Sequence, residues 1–414
     1  MVTGATGQVA RRRVMYIPGY DPIHPRRYRE LYRKESAAQA AISGYEIGIS
    51  PKTSGGPYGW QVAARIDGQQ VQADIDVLVW SDIVRGSMAQ GILATYGQLV
   101  RTAWVYVSTG TLRRLMWLRK GPVIAALYPV GMLLLQLAVA LSLSSLVGGL
   151  LVDALEWIAG DVGLLGTLIE WGVLAGGTAA GLHWFRKHDN RFFAYYLMHD
   201  YAYSARWRGA NPPELEARMA EFEDLIAEAL QSDADEVLIV GHSSGAHLAV
   251  SILADLIRAG RVPETGPKLA FLSLGQVVPM VSFLPEAHRL RADLNYLSAR
   301  DELTWVDVTA PGDGCAFALC DPVSVSGVAP DEKRWPLVFS AAFTQTLSPA
   351  RWKELRWRFF RLHFQYLCAF DRPKDYDYFQ ITAGPISLSE RYADRPPSRS
   401  RIDAPASKFT SMAA

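Results

Sequence analysis

Cysteine is scarce in this chain: Cys315, Cys320 and Cys368 are its 3 cysteines. An odd number without zinc-ligand spacing argues against both a disulfide framework and a structural zinc site, and a reducing compartment fits best. All three read as small hydrophobes of a core. An excess of charge is missing too. There are 42 basic and 41 acidic residues, a formal net charge of +1, and charged residues make up 20% of the chain. A nucleic-acid binder usually carries a basic excess, so nucleic acid is not expected as a partner. There is no P-loop, no dinucleotide fingerprint and no metal-ligand cluster, so neither a cofactor nor a metal is expected. No apolar stretch of the kind a secretory signal needs follows Arg11-Arg12-Arg13, and residues 1–13 read as a disordered tail.

Apolar residues are plentiful instead. They make up 50% of the 414 residues, and the mean hydropathy of +0.05 is high for a soluble enzyme. The excess lies between residues 122 and 184. Residues 122–152 carry no charge over about 31 positions, more than the roughly 20 needed to cross a bilayer. Residues 163–184 form a second expected span, with one charge at Glu170, which reads as pairing or snorkelling towards the outer surface. The turn between them holds Asp153, Glu156 and Asp161 and no basic residue. Arg113, Arg114, Arg119 and Lys120 precede the pair, and Arg186, Lys187 and Arg191 follow it. The positive-inside rule then puts both flanks and both termini in the cytoplasm. Trp104, Tyr106, Met116 and Trp117 on one side, and Trp184, Phe185, Phe192, Phe193, Tyr195 and Tyr196 on the other, fit either interfacial helices on membrane lipids or packing on the domain itself. Gly172-x-x-x-Gly176 and Gly177-x-x-x-Gly181 offer small-residue faces to the first span or to a partner chain.

The remaining length suffices for one large α/β domain. Strands are expected over residues 14–17, 45–50, 61–66, 71–79, 237–240, 268–274, 303–309 and 336–341, and helices over 25–41, 212–229, 285–297 and 348–367. The expected organisation is a disordered tail (1–13), a first part of the α/β domain (14–100), interfacial helices and a transmembrane hairpin (101–207, spans about 122–150 and 163–184), a second part (208–390) and a disordered Ser/Pro/Arg-rich tail (391–414).

Within that organisation one stretch carries chemistry. The β-branched run Val237-Leu238-Ile239-Val240 leads into Gly241-His242-Ser243-Ser244-Gly245, and a helical apolar pattern follows. Strand, tight turn and helix are the context that a G-x-S-x-G nucleophile elbow requires, since glycines at the flanking positions let strand and helix pack closely. A serine hydroxyl needs a base to take its proton and a carboxylate to orient that base. Where this elbow occurs, the chain order is serine, acid, histidine. His247, His288 and His363 follow Ser243. His247 sits one turn along the elbow helix and His288 precedes the candidate acid strand, which leaves His363 as the expected base. Asp313, in a Pro-Gly-Asp-Gly turn just past a strand, is the expected acid, with Asp307 and Asp321 as alternatives. His242 reads as filling a structural hydrogen-bonding slot. One oxyanion-hole N–H is expected from the Gly19–Tyr20 loop after the first strand, and the other from Ser244.

On these residues the chain resembles the α/β-hydrolase superfamily, of the lipase/esterase kind. The resemblance covers roughly residues 14–84 and 212–384. It implies an α/β fold with a mostly parallel sheet flanked by helices, an acyl-enzyme intermediate and no metal. The chain departs from the family's pattern in the inserted transmembrane hairpin, and in a histidine that lies in a helical segment rather than a loop. The expected function is a membrane-anchored serine hydrolase acting on a carboxylic ester, such as a lipid or acyl ester. A catalytically inactive membrane scaffold on the same fold and an acyltransferase with the same triad are the alternatives.

Overall fold

The computed structural model describes residues 8–53, 55–88 and 91–413. Its central strand is β5 (Glu236–His242), buried at every position. The uninterrupted apolar run that predicts a strand covered on both faces is found in that setting. Around β5 an eight-stranded sheet forms in the order β2-β3-β4-β1-β5-β6-β7-β8. The others are β1 (Arg11–Ile17), β2 (Glu46–Pro51), β3 (Gly59–Ile66), β4 (Gln69–Val77), β6 (Lys268–Leu274), β7 (Leu303–Thr309) and β8 (Leu337–Ser340). β4, β1, β5, β6, β7 and β8 run parallel. β2 and β3 complete one side as an antiparallel ladder. The helices Arg26–Ser43, Pro213–Ala229, Gly245–Arg258 and His288–Ser298 flank this α/β sheet.

The parallel registers matter for function. Ile17 is level with Gly241, His242 with Leu274, and Leu274 with Val308. The carboxyl ends of four adjacent strands therefore coincide, which is where α/β sheets present their loops to ligands.

Both expected tails differ from the structure. Residues 1–7 lie outside the described residues, but β1 already starts at Arg11 and the Arg12 side chain is buried. The Arg12 guanidinium donates to Glu236 Oε2 at 2.6 Å and to the Gly384 carbonyl at 2.6 Å, so the basic cluster holds a strand in place. Residues 391–413 are ordered against the domain as well. Ile402 bonds Leu319 and Asp321 through its backbone, the Ser398 amide donates to the Val338 carbonyl, and Arg291 Nε donates to the Ser411 carbonyl. Backbone pairing of this kind needs no side-chain periodicity, and a polar Ser/Pro/Arg composition gives no hint of it.

The chain divides into two compact units. The first contains the sheet, with the segment Tyr106–Val123 and everything from Trp207 onward; the second consists of Ser87–Val105 and Ile124–Arg206. In the second unit, Leu99, Leu133, Ala194, Tyr195, Met198 and Ala202 form a core, and Tyr96 OH donates to the Leu133 carbonyl at 2.9 Å.

Among the described residues one helix, Lys120–Ala159, is long and apolar enough to cross a membrane. Its 40 residues give about 60 Å at 1.5 Å per residue, and Leu134, Leu135, Leu143, Leu146 and Leu150 are exposed along it. The second expected span is a helix over Gly163–Lys187, whose glycines and Glu170 make it less apolar than Lys120–Ala159. The expected pair of spans is thus corrected to one candidate span with a shorter glycine-rich helix packed on it. A Cβ on Gly177 would lie 2.6 Å from Ser144 Oγ, and one on Gly181 would lie 3.1 Å from the Ala140 Cβ. The Gly177/Gly181 face is the one used within the chain, whereas Gly172 and Gly176 meet nothing within 4 Å among the described residues. Glu170 lies against Gly148, whose Cβ would be 3.5 Å from the Glu170 Cγ. The flanking aromatics divide: Trp104, Trp117, Trp184 and Phe193 are exposed, and Tyr106 and Tyr195 are buried.

Candidate active site

The turn after β5 is under backbone strain. Ser243 has φ +57°, a conformation that a residue with a Cβ seldom adopts. Its amide donates to the Leu274 carbonyl at 2.9 Å, and its own carbonyl accepts from the Ala246 amide at 3.1 Å. The flanking glycines explain why strand and helix can meet there. A Cβ at Gly241 would lie 2.8 Å from the Ala246 Cα, and one at Gly245 would lie 2.1 Å from the Ile17 carbonyl oxygen. The helix Gly245–Arg258 begins at this point, which sets Ser243 near the positive end of its dipole.

The loop after β1 closes on the serine from the other side. A Cβ on Gly19 would lie 2.9 Å from the Ser243 Cβ and 3.4 Å from its Oγ. The Tyr20 amide donates to Ser244 Oγ at 3.4 Å. Trp80 Nε1 donates to the Pro18 carbonyl at 2.9 Å, and Asp21 accepts from the Ile23 amide and from Tyr28 OH at 2.7 Å. Gly19, Tyr20 and Ser244 are therefore held beside Ser243.

Asp313 follows β7 and His363 comes from a segment far along the chain, yet the two are joined. His363 Nδ1 is 2.7 Å from Asp313 Oδ2, with both side chains buried. The carboxylate has two further donors: Tyr366 OH to Oδ2 at 3.0 Å and the Cys315 amide to Oδ1 at 2.9 Å. Burial pushes the Asp313 carboxyl up, but the nearby His363 and these hydrogen bonds outweigh it and leave the group below the usual carboxylate range. Ionised Asp313 fixes a proton on His363 Nδ1 and leaves the Nε2 lone pair as the basic site. Burial and the Asp313 charge push Tyr366 well above its ordinary pKa, so it remains a donor.

His242 is held apart from this chemistry. Its Nε2 lies 3.0 Å from the His363 carbonyl oxygen. Burial first, then the neighbouring His363, push its pKa down to about 3, so the ring is neutral and donates. It braces the His363 backbone from the residue next to Ser243. Gly275, just past β6, shares the space: with φ +54°, its Cβ would lie 3.1 Å from His363 Cε1. The Leu274 carbonyl that holds the Ser243 amide and the glycine that makes room for His363 are thus consecutive residues.

The remaining candidates lie elsewhere. His247 is half-buried on the helix Gly245–Arg258, where desolvation pushes its pKa down to about 4. His288 lies beside Glu286 and the Ser411 carbonyl. Asp321 caps the helix Pro322–Val325 and pairs with Lys333 at 2.7 Å. Asp307 sits inside the sheet, where it accepts from Ser273 Oγ at 2.5 Å and its Oδ2 has no partner among the described residues. Burial is the chief cause of a pKa raised to about 8. Because the folded state keeps this proton, its stabilising effect is complete below about pH 4 and is lost as the pH rises through about 8. Asp307→Asn is expected to flatten that decline and to raise stability at pH 8 by on the order of 3 kcal/mol. Denaturant titrations of both proteins at pH 5 and pH 8 check this; equal pH slopes would refute it.

Three features were not read in the sequence: Tyr366, Gly275 and the Trp80 brace. The available signals were a tyrosine three positions after the histidine and a glycine directly after an apolar strand. The expected single helix over 348–367 is broken into Pro349–Leu355, Phe359–His363 and a short 3-10 turn, Gln365–Leu367. Arg358 interrupts it with φ −102° and ψ +67°, and His363 comes from the short piece beyond the break.

A metal donor set also exists. Ligand atoms of Asp313, Cys315 and His363 all lie within 4.8 Å of one another, a mixture of thiol, imidazole and carboxylate that suits zinc. Binding there would compete with the Asp313–His363 hydrogen bond. No known family model, curated protein or solved structure matches the chain.

Proposed function

We propose that the chain is a membrane-anchored serine hydrolase of the α/β-hydrolase kind that cleaves a carboxylic ester. The observation that carries this reading is the buried 2.7 Å contact between Asp313 and His363 at the sheet edge where Ser243 is strained. Ser243 is the nucleophile, His363 the base and Asp313 the orienting acid. His363 Nε2 takes the hydroxyl proton as Ser243 Oγ bonds to the ester carbonyl carbon, and the carbonyl oxygen becomes an oxyanion. Amides of Tyr20 and Ser244 donate to it, the Tyr20 amide leaving Ser244 Oγ to do so. Collapse breaks the C–O bond, and the departing alkoxide takes the proton from His363. Water then repeats the sequence on the acyl-enzyme. Transfer to an alcohol in place of water would make the same site an acyltransferase.

The helix Lys120–Ala159 supports the anchoring part of the reading. We place it across a bilayer with its start on the cytoplasmic side, because Arg113, Arg114, Arg119 and Lys120 precede it and Asp153, Glu156 and Asp161 lie at its far end. Since β1 and β5, before and after it in the chain, pair in one sheet, the helix Gly163–Lys187 packed along it returns the chain to that side, and the first unit and both termini are cytoplasmic. A substrate within the bilayer, a lipid or acyl ester, reaches a tethered site at high effective concentration.

Labelling of membrane fractions with a fluorophosphonate tests the chemistry. Wild type is expected to take up the probe covalently, and Ser243→Ala, Asp313→Ala and His363→Ala to lose it. Loss with Ser243→Ala alone would keep the nucleophile and overturn its partners. A folded wild type that takes up no probe would overturn the hydrolase in favour of an inactive scaffold.

A further inference from the structure

Between the helix Pro349–Leu355 and His363 runs Arg356-Trp357-Arg358-Phe359-Phe360-Arg361, and every one of these six residues is exposed. Trp357 is 72% exposed, Phe359 46% and Phe360 38%. A folded domain normally buries such rings, and a contiguous exposed aromatic patch marks an interaction surface. Its charge is one-sided. Arg351, Lys353, Arg356, Arg358 and Arg361 are opposed by Glu354 alone within the segment, and Glu354 already accepts from Arg351, Arg358 and Arg361. The Arg356 guanidinium lies 5.6 Å from the Trp357 ring centroid, so ring and cation stand together at the surface.

The patch adjoins the start of the apolar helix through the acid loop. A Cβ on Gly314, next to Asp313, would lie 3.2 Å from Phe359 Cδ1, and a Cβ on Gly121 would lie 3.5 Å from the Gly314 carbonyl oxygen. Gly121 belongs to the first turn of Lys120–Ala159, the helix long enough to span a membrane. Arg119, just before it, donates through Nε to the Ala318 carbonyl at 2.8 Å. Just upstream, Trp117 is 67% exposed with the Arg113 guanidinium 4.5 Å from its ring centroid. All of these residues belong to the first unit. An arginine and aromatic surface anchored next to the first turn of a candidate span has the chemistry of the headgroup layer, where amphipathic rings and cations favour the water–lipid boundary.

We infer that residues 351–361 form a docking surface for anionic lipid headgroups, with Trp357, Phe359 and Phe360 entering the interface and the arginines pairing with phosphates. The inference rests on the reading of Lys120–Ala159 as a membrane span and adds to it that the segment delivering His363 lies on the bilayer surface. A lipid ester would then meet the Asp313–His363 pair without leaving the interface.

Hydrogen exchange by mass spectrometry tests this on the full chain in detergent, in phosphatidylcholine nanodiscs and in nanodiscs containing phosphatidylglycerol. Amides of 351–361 are expected to exchange about fivefold more slowly in the anionic discs than in the neutral ones, the factor expected for a basic residue held at an anionic surface. Arg356→Glu with Arg361→Glu is expected to abolish the difference between discs. Trp357→Ala with Phe360→Ala is expected to abolish slowing in both. Equal exchange in detergent and in both discs would overturn the docking surface. A folded chain that fails to co-elute with the discs would instead overturn the membrane span.

Discussion

Asp313→Asn is expected to leave the fold in place and to lower the rate of acyl transfer by about 10⁴-fold, the scale set when the carboxylate of a serine triad is replaced by its amide. The reason lies in the proton inventory. Asp313 Oδ2 faces both His363 Nδ1 and Tyr366 OH, and Oδ1 faces the Cys315 amide. An amide in the same place has one acceptor oxygen for these three donors. If the oxygen stays towards the Cys315 amide, the amide NH2 faces His363 Nδ1, and the imidazole carries its proton on Nε2, which removes the base. If the oxygen faces His363, an NH2 group opposes the Cys315 N–H. Fluorophosphonate labelling rates for wild type, Asp313→Asn and Ser243→Ala, each with its melting temperature, check this. The expected order is wild type, then Asp313→Asn, then Ser243→Ala with none. Labelling of Asp313→Asn at the wild-type rate would remove Asp313 from the mechanism. The pH dependence adds a sign. The Asp313 carboxyl sits below its ordinary range, so the stabilisation from its ionised form is present above the unfolded value and is lost as the pH falls through the folded one. Asp313→Asn is expected to lose that acid-side dependence.

The strands were legible because each is announced by local pattern. The apolar run before Gly241 and the alternation over 71–77 mark β5 and β4 without knowledge of their partners. Their order in the sheet was not legible. β1 lies between β4 and β5, and β5 is more than 200 residues further along the chain. Pairing over such separations leaves little trace in either strand. The same division holds at the site. Ser243 is signalled by its immediate neighbours, since the elbow is a local steric problem. Asp313 and His363 could be proposed from chain order alone. Tyr366 and Gly275 gain meaning only once His363 has been folded against Asp313, so no local pattern identifies them.

Misleading signals were local too. The arginines of β1 look like a solvated tail until Glu236 and the Gly384 carbonyl surround Arg12. The residues from 348 to 367 have a helical composition, but Trp352 packs against Gly312 and Phe359 against Gly314, and a straight helix is replaced by two short ones with Arg358 at the break. Apolar content alone suggested a second membrane span over 163–184. Glycine raises close packing and lowers hydropathy together, and at Gly177 and Gly181 the first role is the one the fold uses.

Two glycines beside Ser243, Gly245 and Gly19, are expected to fail in different ways when replaced by alanine. A Cβ on Gly245 would stand 2.1 Å from the Ile17 carbonyl oxygen and 2.8 Å from that of Pro18. Both are backbone atoms of the chain leaving β1, which is paired to β4 on one side and β5 on the other. Nothing there can rotate away, so strand and helix must separate. Gly245→Ala is expected to cost about 4 kcal/mol, the range reserved for strain that the core cannot absorb. A Cβ on Gly19 would instead stand 2.9 Å from the Ser243 Cβ and 3.4 Å from its Oγ. That clash falls on Ser243, the proposed nucleophile, and on the loop carrying the Tyr20 amide, outside the sheet. Gly19→Ala is therefore expected to keep most of its stability and to slow acylation by on the order of 10²-fold or more, the scale for losing one oxyanion donor. Urea midpoints and labelling rates measured on both variants separate the two effects. A Gly19→Ala protein that labels at the wild-type rate would show that the loop after β1 takes no part in the chemistry of Ser243.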